Sequence, residues 1–154
     1  KSYESTIERC QSILGSQISK TDNIQRFVRA EYLNGVIRIA ASDGVDTVIH
    51  ELGHAFEDKG LYKKAKRFLD RRTKGNALRS LKDDFPEAKF DPDEYYKKDT
   101  WQIYGGRAYS GKIYKDKFTE IMSCGLERLH QSAAEFRLND PDYFEFVVGA
   151  LRGL

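Results

Sequence analysis

Cysteine is scarce in this chain, with only Cys10 and Cys124 among 154 residues. Two thiols cannot build a disulfide framework, so stability must come from a packed core, and a reduced, cytoplasmic setting is expected. No apolar run approaches the roughly 20 residues needed to cross a bilayer, and no secretory signal opens the chain, so no membrane partner is expected. Net charge is nearly absent too. The 26 Lys and Arg stand against 24 Asp and Glu, a formal +2, so the global field argues neither for nor against nucleic acid. Internal repeats and low-complexity tracts are also missing. What remains, 40% hydrophobic and 32% charged, is a globular profile, and the length fits one domain over residues 1–154. The chain opens on Lys1 rather than Met, so a domain excised from a larger protein is expected.

The informative stretch runs from Asp46 to Glu57 and reads Asp-Thr-Val-Ile-His-Glu-Leu-Gly-His-Ala-Phe-Glu. His50 and His54 share one helical face one turn apart, so both imidazoles can reach a single metal ion. Glu51 points to the side, near enough to take a proton from a water on that ion. Val48, Leu52 and Ala55, with Ile49 and Phe56, form an apolar stripe that can anchor the helix. Asp46 or Thr47 is expected to cap its start and Gly60 to stop it. Gly53 is a glycine inside a helix, which costs about 1 kcal/mol relative to alanine and marks close approach by another backbone. Two incidental histidines on a solvated helix are the bland alternative; the cap, stripe and stop signals around them tell against it.

Before this helix, residues 3–14 have helical spacing through Ile7, Cys10, Ile13 and Leu14. Residues 25–32 and 36–40 then read as two strands around Asn34-Gly35, the favoured type I′ pair. After Gly60, residues 61–72 read as a helix with Leu61, Ala65, Phe68 and Leu69 inward and a basic outer face. That face, Lys63 to Lys74, is read as solvated rather than as a nucleic-acid patch, because no stacking residues interleave it. Ala77, Leu78 and Leu81 suggest a short helix, and residues 85–99 mostly loop. Residues 101–114, glycine-turned and tyrosine-rich, suggest a hairpin or loop at the rim of a cleft. Residues 118–129 form the next helix, with Ile121, Met122, Leu126 and Leu129 on one side and Glu120, Ser123, Cys124 and Glu127 on another. Gly125, inside it, is expected to pair with Gly53 in close helix packing. Asp140-Pro141-Asp142 starts a last helix.

The His50-Glu51-Leu52-Gly53-His54 set resembles the zincin superfamily of zinc metallopeptidases. The resemblance implies an α+β fold: a small β-sheet with an N-terminal hairpin packed against the metal-binding helix and a second, ligand-bearing helix. It also implies that the strand before the metal helix forms a sheet edge for an extended substrate. A catalytic Zn2+ takes three protein ligands and leaves a position open. His50 and His54 supply two; Glu120, Glu127 and His130 are candidates for the third. Glu120 is preferred, because a downstream helical glutamate resembles the third ligand of the gluzincin branch, and Glu127 could instead orient a histidine. Glu57, Asp58 and Lys59 after His54 exclude the metzincin signature. Glu51 is the expected general base, and Tyr109, Tyr114 or Tyr104 the expected oxyanion donor, with simple packing as their alternative.

Gly105-Gly106, the segment Thr119-Glu120-Ile121 through Glu127, and the closing Asp140 to Gly153 look similar to zincin-like C-terminal domains of phage and prophage head-morphogenesis (minor capsid) proteins. That likeness implies phage head or capsid proteins as partners and a virion-associated location. The expected function is zinc-dependent hydrolysis of a peptide or protein; the alternative is a catalytically silent module with a structural or assembly role.

Overall fold

The computed structural model describes residues 17–21, 30–40, 42–99, 108–115 and 117–153. The helix expected over residues 3–14, the first strand over 25–29, and Tyr104 with Gly105-Gly106 lie outside these residues.

Strand β3 (Val36–Ala40) alternates as a half-buried strand should: Ile37 and Ile39 are fully buried and Arg38 is exposed. It pairs antiparallel with β2 (Glu31–Leu33) through Asn34 and Gly35, whose φ values of 50° and 81° are those a type I′ turn demands. On its other side β3 pairs in parallel with β1 (Gln17–Thr21), giving a mixed sheet of order β1-β3-β2. The strand directly before the first described helix is therefore interior, not the expected edge; among the described residues β2 is an edge. Pairing on both sides removes β3's ladder groups from any substrate.

Helix α1 (Val45–Phe56) follows. Its N-cap is Gly44, without a side-chain cap bond, so Asp46 and Thr47 are not the caps expected of them. Instead the Asp43 carboxylate accepts from the Ala40 N–H at 2.6 Å and fixes the turn into the helix. Gly60, at φ 128°, breaks the helix as its left-handed tolerance allows, and α2 (Tyr62–Arg72) begins beyond the kink. A second, antiparallel sheet contains β4 (Leu78–Ser80), β5 (Tyr95–Lys97) and β6 (Lys112–Ile113). Leu78 thus lies in a strand rather than the expected helix, which is only the turn α3 (Leu81–Asp84), and the expected loop over 85–99 contains β5. Pairing across the sheet overrides the weak local signal there. Helix α4 (Ile121–Asn139) breaks at Ser132, and α5 (Pro141–Arg152) starts on the Asp140 carboxylate, which accepts from the Tyr143 N–H at 3.2 Å.

The architecture is α+β, with α1 shared between two cores. Val48, Leu52 and Ala55 pack on Ile37 and Ile39 of the mixed sheet. The larger core joins α2, α4 and α5 through Phe68, Leu69, Ile121, Met122, Tyr143 and Val147. Each such buried aliphatic or aromatic side chain contributes about 1.5–3 kcal/mol. Among the described residues no helix is long and apolar enough to cross a membrane.

Helices α1 and α4 meet backbone to backbone. A Cβ added at Gly53 would lie 2.2 Å from Ser123 Cα and 2.7 Å from the Met122 carbonyl carbon. Gly125 does not face Gly53 as expected; its missing Cβ makes room for Val147 Cγ2, at 2.5 Å, and for Tyr143 of α5. Gly53→Ala should therefore lower unfolding stability by about 1–3 kcal/mol, despite alanine's better helix propensity, since backbone must move. Gly125→Ala should cost less, because a valine methyl can turn aside. Urea unfolding of both variants decides; a Gly53→Ala protein as stable as wild type contradicts this packing.

Candidate metal centre

Helix periodicity gives α1 a second face. His50, Gly53, His54 and Glu57 follow one another at helical spacing and look toward α4, opposite the stripe that packs on the sheet. With no side chain at Gly53, the start of α4 comes against this face and brings Glu120, its fully buried N-cap residue, between the two imidazoles. Glu120 Oε2 stands 3.1 Å from His50 Nε2 and 3.5 Å from His54 Nε2. Donors sharing one tetrahedral ion at bond lengths of about 2.0–2.2 Å stand about 3.4 Å apart, so each histidine–Glu120 distance suits a shared cation. Two imidazoles and a carboxylate suit a borderline divalent ion. Among the described residues, the group of three whose donor atoms all lie within 4.8 Å of one another is His50, Glu120 and Cys124; His54 joins through its approach to Glu120.

His50 and Glu120 are held from behind. His50 Nδ1 lies 2.6 Å from Glu127 Oε1, two turns along α4 from Glu120, so Glu127 orients the ring rather than competing for an ion. Tyr114 donates its hydroxyl proton to Glu120 Oε1, and Ser123 Oγ donates to Glu120 Oε2 at 2.8 Å. His54 Nδ1 is buried and, among the described residues, has no hydrogen-bond partner. Glu57, 1% exposed, accepts from the Thr119 N–H at 2.7 Å, the Thr119 hydroxyl at 2.5 Å and the Met122 N–H at 3.2 Å. That carboxylate ties the end of α1 to the segment bearing Glu120, where the positive end of α4 favours it.

The charges are strongly coupled. Burial alone would lower the pKa of His50, but the hydrogen bonds and charges of Glu120 and Glu127 outweigh it and raise it to about 10. Burial opposes charge on Glu120, yet the bond to His50 and the charges of His54 and His50 hold its pKa down at about 2. His54 is lowered, chiefly by burial. Glu51, 5% exposed, is pushed up to about 7 mainly by burial, against the pull of His50's charge and the backbone N–H of Tyr32 on β2. Burial and the neighbouring Glu120 raise Tyr114.

Of the remaining candidates, Tyr109 has its ring centroid 6.2 Å from that of His50 and its hydroxyl 3.5 Å from the Tyr114 hydroxyl. Tyr114 is engaged with Glu120, so in this arrangement it holds that carboxylate in place. His130 is half exposed, 3.8 Å from Asp46, and takes no part in the cluster. Sequence reasoning passed over Glu57 as a functional group, although its spacing from His50 and His54 put it on their face. It also passed over Lys112 and Glu94, which meet beside Tyr109 and are joined only by sheet pairing. No family model, curated protein or solved structure matches this chain.

A cation at this centre competes with the proton on His50. Because that pKa is raised to about 10, metal affinity should rise with pH, about tenfold per unit between roughly pH 6 and 8, in chelator-competition titrations. The same shift contributes stability to the metal-free fold that is fully present below about pH 6.5 and lost as pH rises through about 10. A pH-independent affinity contradicts the assignment of His50.

Proposed function

We propose that this chain is a zincin-like peptidase domain of gluzincin type that hydrolyses peptide bonds with Zn2+ held by His50, His54 and Glu120. The observation that carries the reading is the convergence of both imidazole Nε2 atoms on one Glu120 oxygen, with a buried Glu51 on the same turn of helix. Bound zinc supplies Lewis acidity, polarising a carbonyl and acidifying a water to a pKa of about 7. Glu51, itself raised to about 7, is matched to accept the proton of the attacking water and hand it to the departing amine. Glu127 keeps the His50 ring turned, and Tyr114 and Ser123 leave Glu120 one direction in which to ligate, through Oε2. Tyr109 is the tyrosine we assign to the substrate's developing oxyanion.

A catalytically silent assembly module is the alternative. It would use the histidines but has no use for a carboxylate buried beside them at such a pKa, which favours hydrolysis. The likeness of the second half to phage head-morphogenesis domains supports capsid-associated proteins as the substrates or partners.

Glu51→Gln keeps the shape of the side chain and removes the base. Zinc should remain at about one equivalent while cleavage of a quenched-fluorescent peptide library falls by at least about 100-fold. Unchanged cleavage overturns the mechanism.

A further inference from the structure

Imidazole and carboxylate are not the only donors at this centre. Cys124 follows Glu120 by four residues, so the two share one face of α4, one turn apart. The Cys124 N–H donates to the Glu120 carbonyl at 3.0 Å, which fixes that spacing. On the same face Cys124 is bracketed by Glu120 and Glu127, the two carboxylates that His50 meets through Nε2 and Nδ1. The thiol is buried, and donor atoms of His50, Glu120 and Cys124 all lie within 4.8 Å of one another.

Two donor sets therefore overlap. They share His50 and Glu120; one is completed by the imidazole of His54, the other by the sulfur of Cys124. The completing donors differ in kind. An imidazole serves a borderline ion such as zinc, whereas a thiolate is soft and polarisable and gains most from a soft ion. We propose that the centre is a two-way site: a soft cation, of the cuprous or cadmium kind, binds His50, Glu120 and Cys124, while zinc binds His50, His54 and Glu120. This rests on the metal reading above. As the metal–sulfur bond forms, the thiol proton leaves to water, so the ion is held by a thiolate. Because the sets share His50 and Glu120, they cannot both be filled, and a soft ion on the Cys124 side displaces zinc. A buried cysteine that only packs as a small apolar group would draw no ion to its sulfur.

The test uses cadmium(II) as the probe, in a Cys10→Ser parent whose single thiol is Cys124. About one equivalent of cadmium should bring up the ultraviolet thiolate-to-cadmium charge-transfer band, and Cys124→Ala should abolish it. Competition titrations then compare the two ions. Cys124→Ala should lower the cadmium-to-zinc affinity ratio by about tenfold or more, and His54→Gln should raise it. Cadmium bound without the band, a Cys124→Ala ratio within about twofold of the parent, or a His54→Gln ratio that does not rise overturns the proposal. If Cys124→Ala does not fold, the band in the parent decides alone, since no other thiol can give it. Protein that binds neither ion overturns the metal reading itself, an outcome distinct from cadmium bound without sulfur.

Discussion

The backbone of α4 lies against the backbone of α1 at Gly53, and the donor cluster depends on that contact. Any side chain there would place its Cβ 2.2 Å from Ser123 Cα, far inside van der Waals contact, so the two helices could not close as they do. With them closed, the first turn of α4 delivers Glu120 to the two histidines, and Glu127, two turns on, reaches the back of His50. Glu57 completes the fit by accepting three hydrogen bonds from the start of α4. The helix end is satisfied by a side chain of its neighbour, which fixes the register of one helix along the other.

Close packing also sets the electrostatics. Glu51, Glu57, Glu120 and Glu127 are all buried within two facing helices. Three of these carboxylates are answered by partners: Glu57 by Thr119 and backbone donors, Glu120 by Tyr114, Ser123 and the imidazoles, Glu127 by His50. Burial drives Glu51 and Glu57 upward while the histidines drive Glu120 down. Neighbouring carboxylates in one site are thereby separated into one that stays ionised and one that can exchange a proton near neutrality, a division suited to a ligand and a base.

Local pattern accounts for much of what the structure contains. The Asn34-Gly35 turn, the α1 stripe, the break at Gly60 and the Asp140 cap are short-range events, and each is written in a few adjacent residues. Gly53 announced a neighbour because a helix does not tolerate an interior glycine without reason. The identity of that neighbour was legible only as a choice among Glu120, Glu127 and His130, because the register between two helices depends on contacts such as Glu57 with Thr119. Gly125 was misassigned for the same reason: a small residue says that something is close, not what. The second sheet was the least legible part. Its strands are two or three residues long, and they pair across separations that local propensity cannot see. Lys112 and Glu94 become neighbours only through that pairing, so the buried ion pair carries no sequence signal.

In the proposed site two imidazoles and one carboxylate hold a zinc ion and leave a position open. Zinc K-edge X-ray absorption on the zinc-loaded protein tests it most directly. The expected result is a first shell of nitrogen and oxygen alone at about 2.0–2.1 Å, with the outer-ring scattering of two imidazoles. A sulfur scatterer at about 2.3 Å would bring Cys124 into the shell and contradict the account, as would a protein that retains no zinc.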